Sequence, residues 1–204
     1  MQAAWYGVLR GNDGNIIMIK IGITGSFASG KSELLKYLIE KGYPGFNCDK
    51  AVHAMHQDMN VQKQILAIFP EIGHFDKAKI AQLVYADPAK RKQLEDLMHP
   101  LVSAKMTEFL NGASGSKIVF LEIPLLFEAK WESACDYIIS LYCIKALRQE
   151  RALGRGINAE MFTAIDKSQI PENTKKDLAD FSINTACAFT KVALECEKII
   201  QFIM

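Results

Sequence analysis

The chain has 204 residues, half of them hydrophobic, with 24 Lys and Arg against 23 Asp and Glu for a formal charge of +1. That length suits one ordinary domain with insertions, and the near-neutral balance does not indicate a basic surface built to coat nucleic acid, though it leaves room for a local basic patch. No run approaches the ~18 apolar residues of a membrane span, and five cysteines without a C-x-x-C pair argue against a disulfide framework and for buried, reduced thiols in a cytoplasmic protein.

Residues 1–17 form an N-terminal extension without an apolar signal core, since Arg10, Asn12 and Asp13 interrupt it and Gly11–Asn15 reads as a turn. It is an extra strand, a disordered arm or the product of a start ahead of Met18. Ile16–Ile23 is a nearly continuous apolar run, as in a strand buried on both faces of a parallel sheet. A glycine-rich loop follows at once. Lys31–Lys41 then reads as a helix with Leu34, Leu35, Leu38 and Ile39 on one face, stopped by Gly42.

Gly45–Cys48 is a second strand ending at Asp49. Residues 49–110 are helical in period, with breaks near Pro70, Gly73, Asp87-Pro88 and His99-Pro100. Pro88 and Pro100 are placed as first-turn prolines. This is a helical insertion, closed by the loop Asn111–Ser116. Strands are predicted at Ile118–Ile123 and Tyr137–Tyr142, helices at about 145–154 and 159–168, a short strand at Phe181–Asn184 and a last helix from about 187. Strands alternating with helices predict an α/β fold, a parallel sheet with helices on both faces.

The chemistry centres on Gly25-Ser26-Phe27-Ala28-Ser29-Gly30-Lys31-Ser32. Glycines let a backbone curl until several N–H groups converge on one anion, and the following helix adds the positive end of its dipole. Lys31 reaches the β- and γ-phosphates of a nucleotide and Ser32 offers a hydroxyl to Mg²⁺. Asp49, at the end of a strand, is either a carboxylate pointing into the crevice where ligands of open α/β sheets bind or the N-cap of the following helix. Arg151 and Arg155 are four apart, hence on one helical face. They belong either to a lid that closes over the nucleotide, with Gly154 and Gly156 as hinges, or to a solvated basic surface. Glu122, near the end of an apolar strand, is either an acid that orients Mg²⁺ or a core-edge carboxylate. Glu128 reads as a capping or pairing group. Cys48, His53 and His56 lack a fourth ligand at zinc-finger spacing.

Beyond the loop, the chain resembles the dephospho-coenzyme A kinase family, which performs the last step of coenzyme A synthesis. The likeness rests on Ile23-Thr24-Gly25, Asn47-Cys48-Asp49, Leu94 through His99-Pro100 and Pro124-Leu125-Leu126-Phe127-Glu128. It continues through Arg148 to Arg155, Gln169 and Ala179-Asp180-Phe181-Ser182-Ile183-Asn184. Departures are Ser26, Phe27 and Ala28 in the loop, Asn47 for an aspartate and Lys77 for an arginine.

The resemblance implies a P-loop NTPase-type fold. Its nucleotide-binding core would be 18–49, 117–145 and 178–204, its helical substrate subdomain 50–116 and its lid 146–177. It implies ATP and Mg²⁺, with dephospho-coenzyme A as the small-molecule partner of a monomer or weak homo-oligomer acting on neither nucleic acid nor membrane. The implied catalytic residues are Asp49, Lys31 and Arg151. The nucleotide set is Gly25, Ser26, Phe27, Ala28, Ser29, Gly30, Lys31, Ser32 and Glu33, with Arg151, Arg155 and Asn184. Asp49, Lys77, His99, Pro124, Leu125 and Phe127 would meet the acceptor, and Ser32 and Glu122 the metal.

Overall fold

The computed structural model describes residues 18–204, so the readings made for the N-terminal extension lie outside the described residues. The elements run β1 (Ile19–Gly25), α1 (Lys31–Glu40), β2 (Gly45–Asn47), α2 (Cys48–Met55), α3 (Met59–Ile68), α4 (Lys77–Ala86) and α5 (Pro88–Gly112). They continue with β3 (Ile118–Glu122), β4 (Tyr137–Tyr142), α6 (Lys145–Leu153), α7 (Ala159–Ser168), α8 (Glu172–Leu178), β5 (Phe181–Asn184) and α9 (Phe189–Ile203). The described chain falls into two compact units. One is Asn47–Gly112; the other runs to Phe46 and resumes at Ala113–Met204.

The second of these holds the sheet, whose strand order is β2-β3-β1-β4-β5. β1 pairs in parallel with β3 (Ile21 opposite Phe120, Ile23 opposite Glu122) and with β4 (Ile23 opposite Ile139), and β4 pairs in parallel with β5. Side chains alternate along each strand, so the registers sort the residues by face. Ile21, Ile23, Ile118, Phe120, Ile139, Leu141 and Ile183 share a core with Leu34, Leu35 and Leu38 of α1 and Val192, Cys196 and Ile200 of α9. Gly22 and Thr24 look the other way. A Cβ on Gly22 would sit 2.7 Å from Cys135 Sγ and 3.0 Å from Leu126 Cδ1. α8 packs on this second face, where Thr24 and Lys175 both donate to the Pro124 carbonyl. The sheet therefore carries helices on both sides, as its alternating sequence predicts.

The Asn47–Gly112 unit is all helical beyond the last residue of β2. Its helices begin on side-chain caps: Asn47 accepts from Lys50 N–H (2.7 Å), Asp58 from Asn60 (2.7 Å), Asp76 from Ala78 (2.9 Å) and Asp87 from Ala89 (2.8 Å). The predicted break at His99-Pro100 is absent, and Pro100 is not a first-turn residue. α5 runs unbroken for 25 residues with Pro100 inside it. Met98, Val102 and Met106 form a buried stripe at four-residue spacing past an exposed Pro100, so the apolar face outweighs one lost backbone donor. α5 also extends to Gly112, into the predicted closing loop.

Two further differences matter. α2 starts at Cys48, one residue inside the strand predicted there. α8 had no apolar stripe by which to be foreseen; its sequence is ENTKKDL, and its buried residue is Lys175. Among the described residues no helix is long and apolar enough to cross a membrane.

Candidate active site

β1 ends where the phosphate loop begins. Gly25 has φ 137°, and a Cβ there would lie 2.1 Å from the Leu141 carbonyl oxygen, so only glycine fits against β4. Gly30, at φ 98°, caps α1. The first helical bond runs from Leu34 N–H to the Gly30 carbonyl (3.1 Å), which leaves the N–H groups of Lys31, Ser32 and Glu33 ahead of the ladder at the positive end of the helix. Lys31 is buried and donates to the Gly25 and Ser26 carbonyls, both at 3.0 Å, so its ammonium is held against the curl of the loop. This is an anion cradle with a fixed cation.

Glu122 comes to the loop by parity. It follows Ile118 and Phe120 on the face that packs on α1, and it ends β3 beside the end of β1. Ser32 opens α1 on that face and donates to Glu122 Oε1 at 2.6 Å. Glu122 is 1% exposed. A hydroxyl and a carboxylate side by side are the hard oxygen donors that suit Mg²⁺. Among the described residues no group of three or more His, Cys, Asp or Glu is placed to hold a metal, and Mg²⁺ shared with phosphates asks for fewer.

The far rim is built from β5 and α6. Thr185 Oγ1 donates to the Ser29 carbonyl at 2.8 Å, and Arg151 donates to Thr185 Oγ1 (3.2 Å) and to the Thr185 carbonyl (2.6 Å). Arg151 is thereby tied to the loop through one threonine. Arg155 does not share a helical face with it: α6 ends at Leu153, and Arg155 lies exposed in the turn closed by Gly156 at φ 82°. Asn184, exposed at the end of β5, accepts from Ala186 N–H at 2.8 Å.

Three side chains that sequence reasoning did not weigh for this role also hold the loop and its neighbour. Phe27 N–H donates to Gln169 Oε1 at 2.9 Å, and the Phe27 carbonyl accepts from Arg148 Nη1 at 3.3 Å. Arg148 is 5% exposed and pairs with Asp166 at 2.6 Å. Burial alone would raise the Asp166 carboxyl, but hydrogen bonds from Arg148 and Lys145 more than offset it and leave it below its ordinary value. Lys175, fully buried, pairs with Glu128 at 2.9 Å and fixes the Pro124 carbonyl at 3.0 Å. Glu128 also accepts from Ile170 N–H at 3.0 Å, in the connection between α7 and α8, while α8 has no side-chain cap, so its contacts match the pairing reading and not the capping one. Within Pro124–Glu128, Phe127 is buried at 7% exposed while Leu125 stands out at 43%. Phe127 is thus enclosed by the fold, and Leu125 presents its side chain at the surface.

In the helical unit Asp49 lies exposed in the first turn of α2. The N-cap there is Asn47, two residues earlier, so the capping alternative for Asp49 is set aside. Lys77 opens α4 with Nζ 3.2 Å from His53 Nδ1. Burial, then Lys77 and His53, holds His56 below the usual imidazole value. His99 sits half-buried in the middle of α5 rather than at a helix start.

Comparison with known proteins bears on this arrangement. The pattern of the family described as dephospho-CoA kinase matches residues 19–189. A dephospho-CoA kinase of Rickettsia felis is 38% identical over 187 residues, covering 91% of this chain and 98% of the relative. A solved structure from Thermus thermophilus superposes with a TM-score of 0.81 at 30% identity, over 91% of this chain and 98% of that one. The dephospho-CoA kinase from Campylobacter jejuni superposes with a TM-score of 0.62 at 25% identity, over 91% and 96% of the two chains. The likeness runs through β1, the phosphate loop, the helical unit and Pro124–Glu128, and the chain belongs to the dephospho-CoA kinase family.

Proposed function

We propose that this chain transfers the γ-phosphoryl group of ATP to the ribose 3′-hydroxyl of dephospho-coenzyme A, giving coenzyme A and ADP. The observation that carries the reading is the fixed cradle at Gly25–Ser32, with Lys31 held against the loop and Ser32 bonded to Glu122 at 2.6 Å. Phosphoryl transfer asks a protein mainly for positioning and charge stabilisation, and that is what these groups offer. Lys31 and the N–H groups at the start of α1 bind the phosphates. Ser32 and Glu122 would hold Mg²⁺, which neutralises charge on the phosphates when bound.

In the transfer, the acceptor's O–H bond breaks, its oxygen bonds to the γ-phosphorus, and the bond from that phosphorus to the β–γ bridging oxygen is lost. Asp49 receives the released proton, and Arg151 stabilises charge on the moving group. Lys77 and His99 bind the acceptor's polar groups and Leu125 its apolar arm, with Pro124 shaping that segment. Residues 50–116 serve as the acceptor subdomain and 146–177 as a lid carrying Arg151 and Arg155, with Asn184 beside the nucleotide. The enzyme acts in the cytoplasm as a monomer or weak homo-oligomer.

The test is incubation of purified protein with Mg·ATP and dephospho-coenzyme A, followed by separation of the products. Coenzyme A is the expected product; none formed beside an active control enzyme would overturn the assignment. Asp49→Asn turning over at the wild-type rate would remove Asp49 from the mechanism.

A further inference from the structure

Phe27 is held at both of its backbone polar groups by side chains remote in sequence. Its N–H goes to Gln169, 142 residues away, and its carbonyl receives Arg148, 121 residues away. Arg148 is itself pinned. It donates from Nε to the Cys143 carbonyl at 3.2 Å, pairs with Asp166 at 2.6 Å and Glu172 at 3.5 Å, and lies over the Phe162 ring at 5.8 Å. The apolar side of the same contact is the cluster of Ala28, Ala152 and Phe162, with Phe27 and Ile157 packed against it. The Phe27 and Phe162 rings lie 6.2 Å apart.

The next residue explains why a clamp is needed. Ala28 has φ 61° without being glycine, a conformation that costs an L-residue roughly 1–2 kcal/mol. A loop strained there relaxes unless its neighbours hold it. Phosphate loops bind through backbone N–H direction, so a small rotation at Phe27–Ala28 re-aims the donors that follow. The Phe27 N–H, already given to Gln169, is not among those donors.

We infer that Gln169 and Arg148 are positioning residues for nucleotide binding: together they clamp the Phe27 peptide and hold the phosphate loop in its ATP-accepting shape. The inference rests on the reading of Gly25–Ser32 as the ATP site. It assigns the two side chains to one substrate and not the other, which a general structural role would not do.

The experiment measures both Michaelis constants for wild type, Gln169→Leu, Arg148→Met and Arg148→Lys, with thermal unfolding of each. Gln169→Leu and Arg148→Met are expected to raise the ATP KM roughly tenfold while the dephospho-coenzyme A KM stays within about twofold. Arg148→Lys, which keeps a donor, recovers part of the loss. An unchanged ATP KM in Gln169→Leu, equal rises in both constants, or a fall in kcat alone overturns the clamp. Should Arg148→Met not fold, the half-buried Gln169 decides the matter by itself. A wild type that makes no coenzyme A sinks the underlying reading as well, whereas an active wild type with an indifferent Gln169→Leu sinks the clamp alone.

Discussion

At Ser29–Ser32 the phosphate loop is fixed from the strand ends, by Thr185 after β5 and Glu122 at the end of β3. At Phe27–Ala28 it is fixed from the side, by Gln169 and Arg148 and the small cluster around Phe162. The first half needs only a parallel sheet in the right register. The second needs side chains from helices that do not themselves belong to the sheet. A loop can thus take its position from the fold and its shape from elsewhere, and the two can be broken separately.

The largest expected effect is on the side contact as structure. Phe162 is fully buried, and Phe162→Ala is expected to cost about 3 kcal/mol or more of stability, read as the shift of the urea unfolding midpoint. Next is the strand-end half as chemistry. Lys31→Ala is expected to lower kcat roughly 100-fold or more with the fold intact by circular dichroism. A full wild-type rate in that variant would remove the cradle from the mechanism. Glu122→Ala is expected to raise the Mg²⁺ concentration needed for half-maximal activity roughly tenfold, measured by metal titration.

Acid sharpens the contrast, because the side clamp contains an ion pair. The Asp166 carboxyl in the folded chain lies below its ordinary 3.8. Its pairing therefore contributes stability that is complete above that value and is lost as the pH falls through the lower, folded one. Asp166→Asn is expected to flatten this acid limb in unfolding curves taken from about pH 5 downward. The smallest effect is Ala28→Gly. It relieves the left-handed strain, about 1 kcal/mol, and removes a methyl worth about 0.8 kcal/mol from the cluster. The expected change in melting temperature is near zero, and a large one in either direction would show that one of the two terms dominates.

What could be foreseen follows the same division. β1, the loop and α1 were legible because an apolar run, a glycine pattern and a helical stripe stand in immediate succession. The position of Glu122 at the end of β3 was legible from the apolar strand before it, but its bond to Ser32 depends on the register of β3 against β1. Arg148 and Lys175 were not legible, since a charged residue in a polar helix reads as surface. Their burial exists only once the Phe27 and Pro124 carbonyls and the Asp166 and Glu128 carboxylates have been brought to them. Pro100 misled for the converse reason: a strong local breaker was overruled by a stripe that runs past it. The Asn47 cap was hidden because the asparagine looked like a strand residue, and it is one as well.

The thiols of this chain differ in a way that gives the molecule an unplanned use. Burial pushes Cys135 and Cys196 up to about 12, and Cys48 and Cys143 are enclosed. Cys187 alone is exposed, three residues past Asn184, with its sulfur 3.4 Å from that residue's carbonyl. A mild electrophile at neutral pH therefore finds one address on the native protein, at the rim beside β5. A fluorophore attached there would be a built-in reporter, with no residue of the chain exchanged.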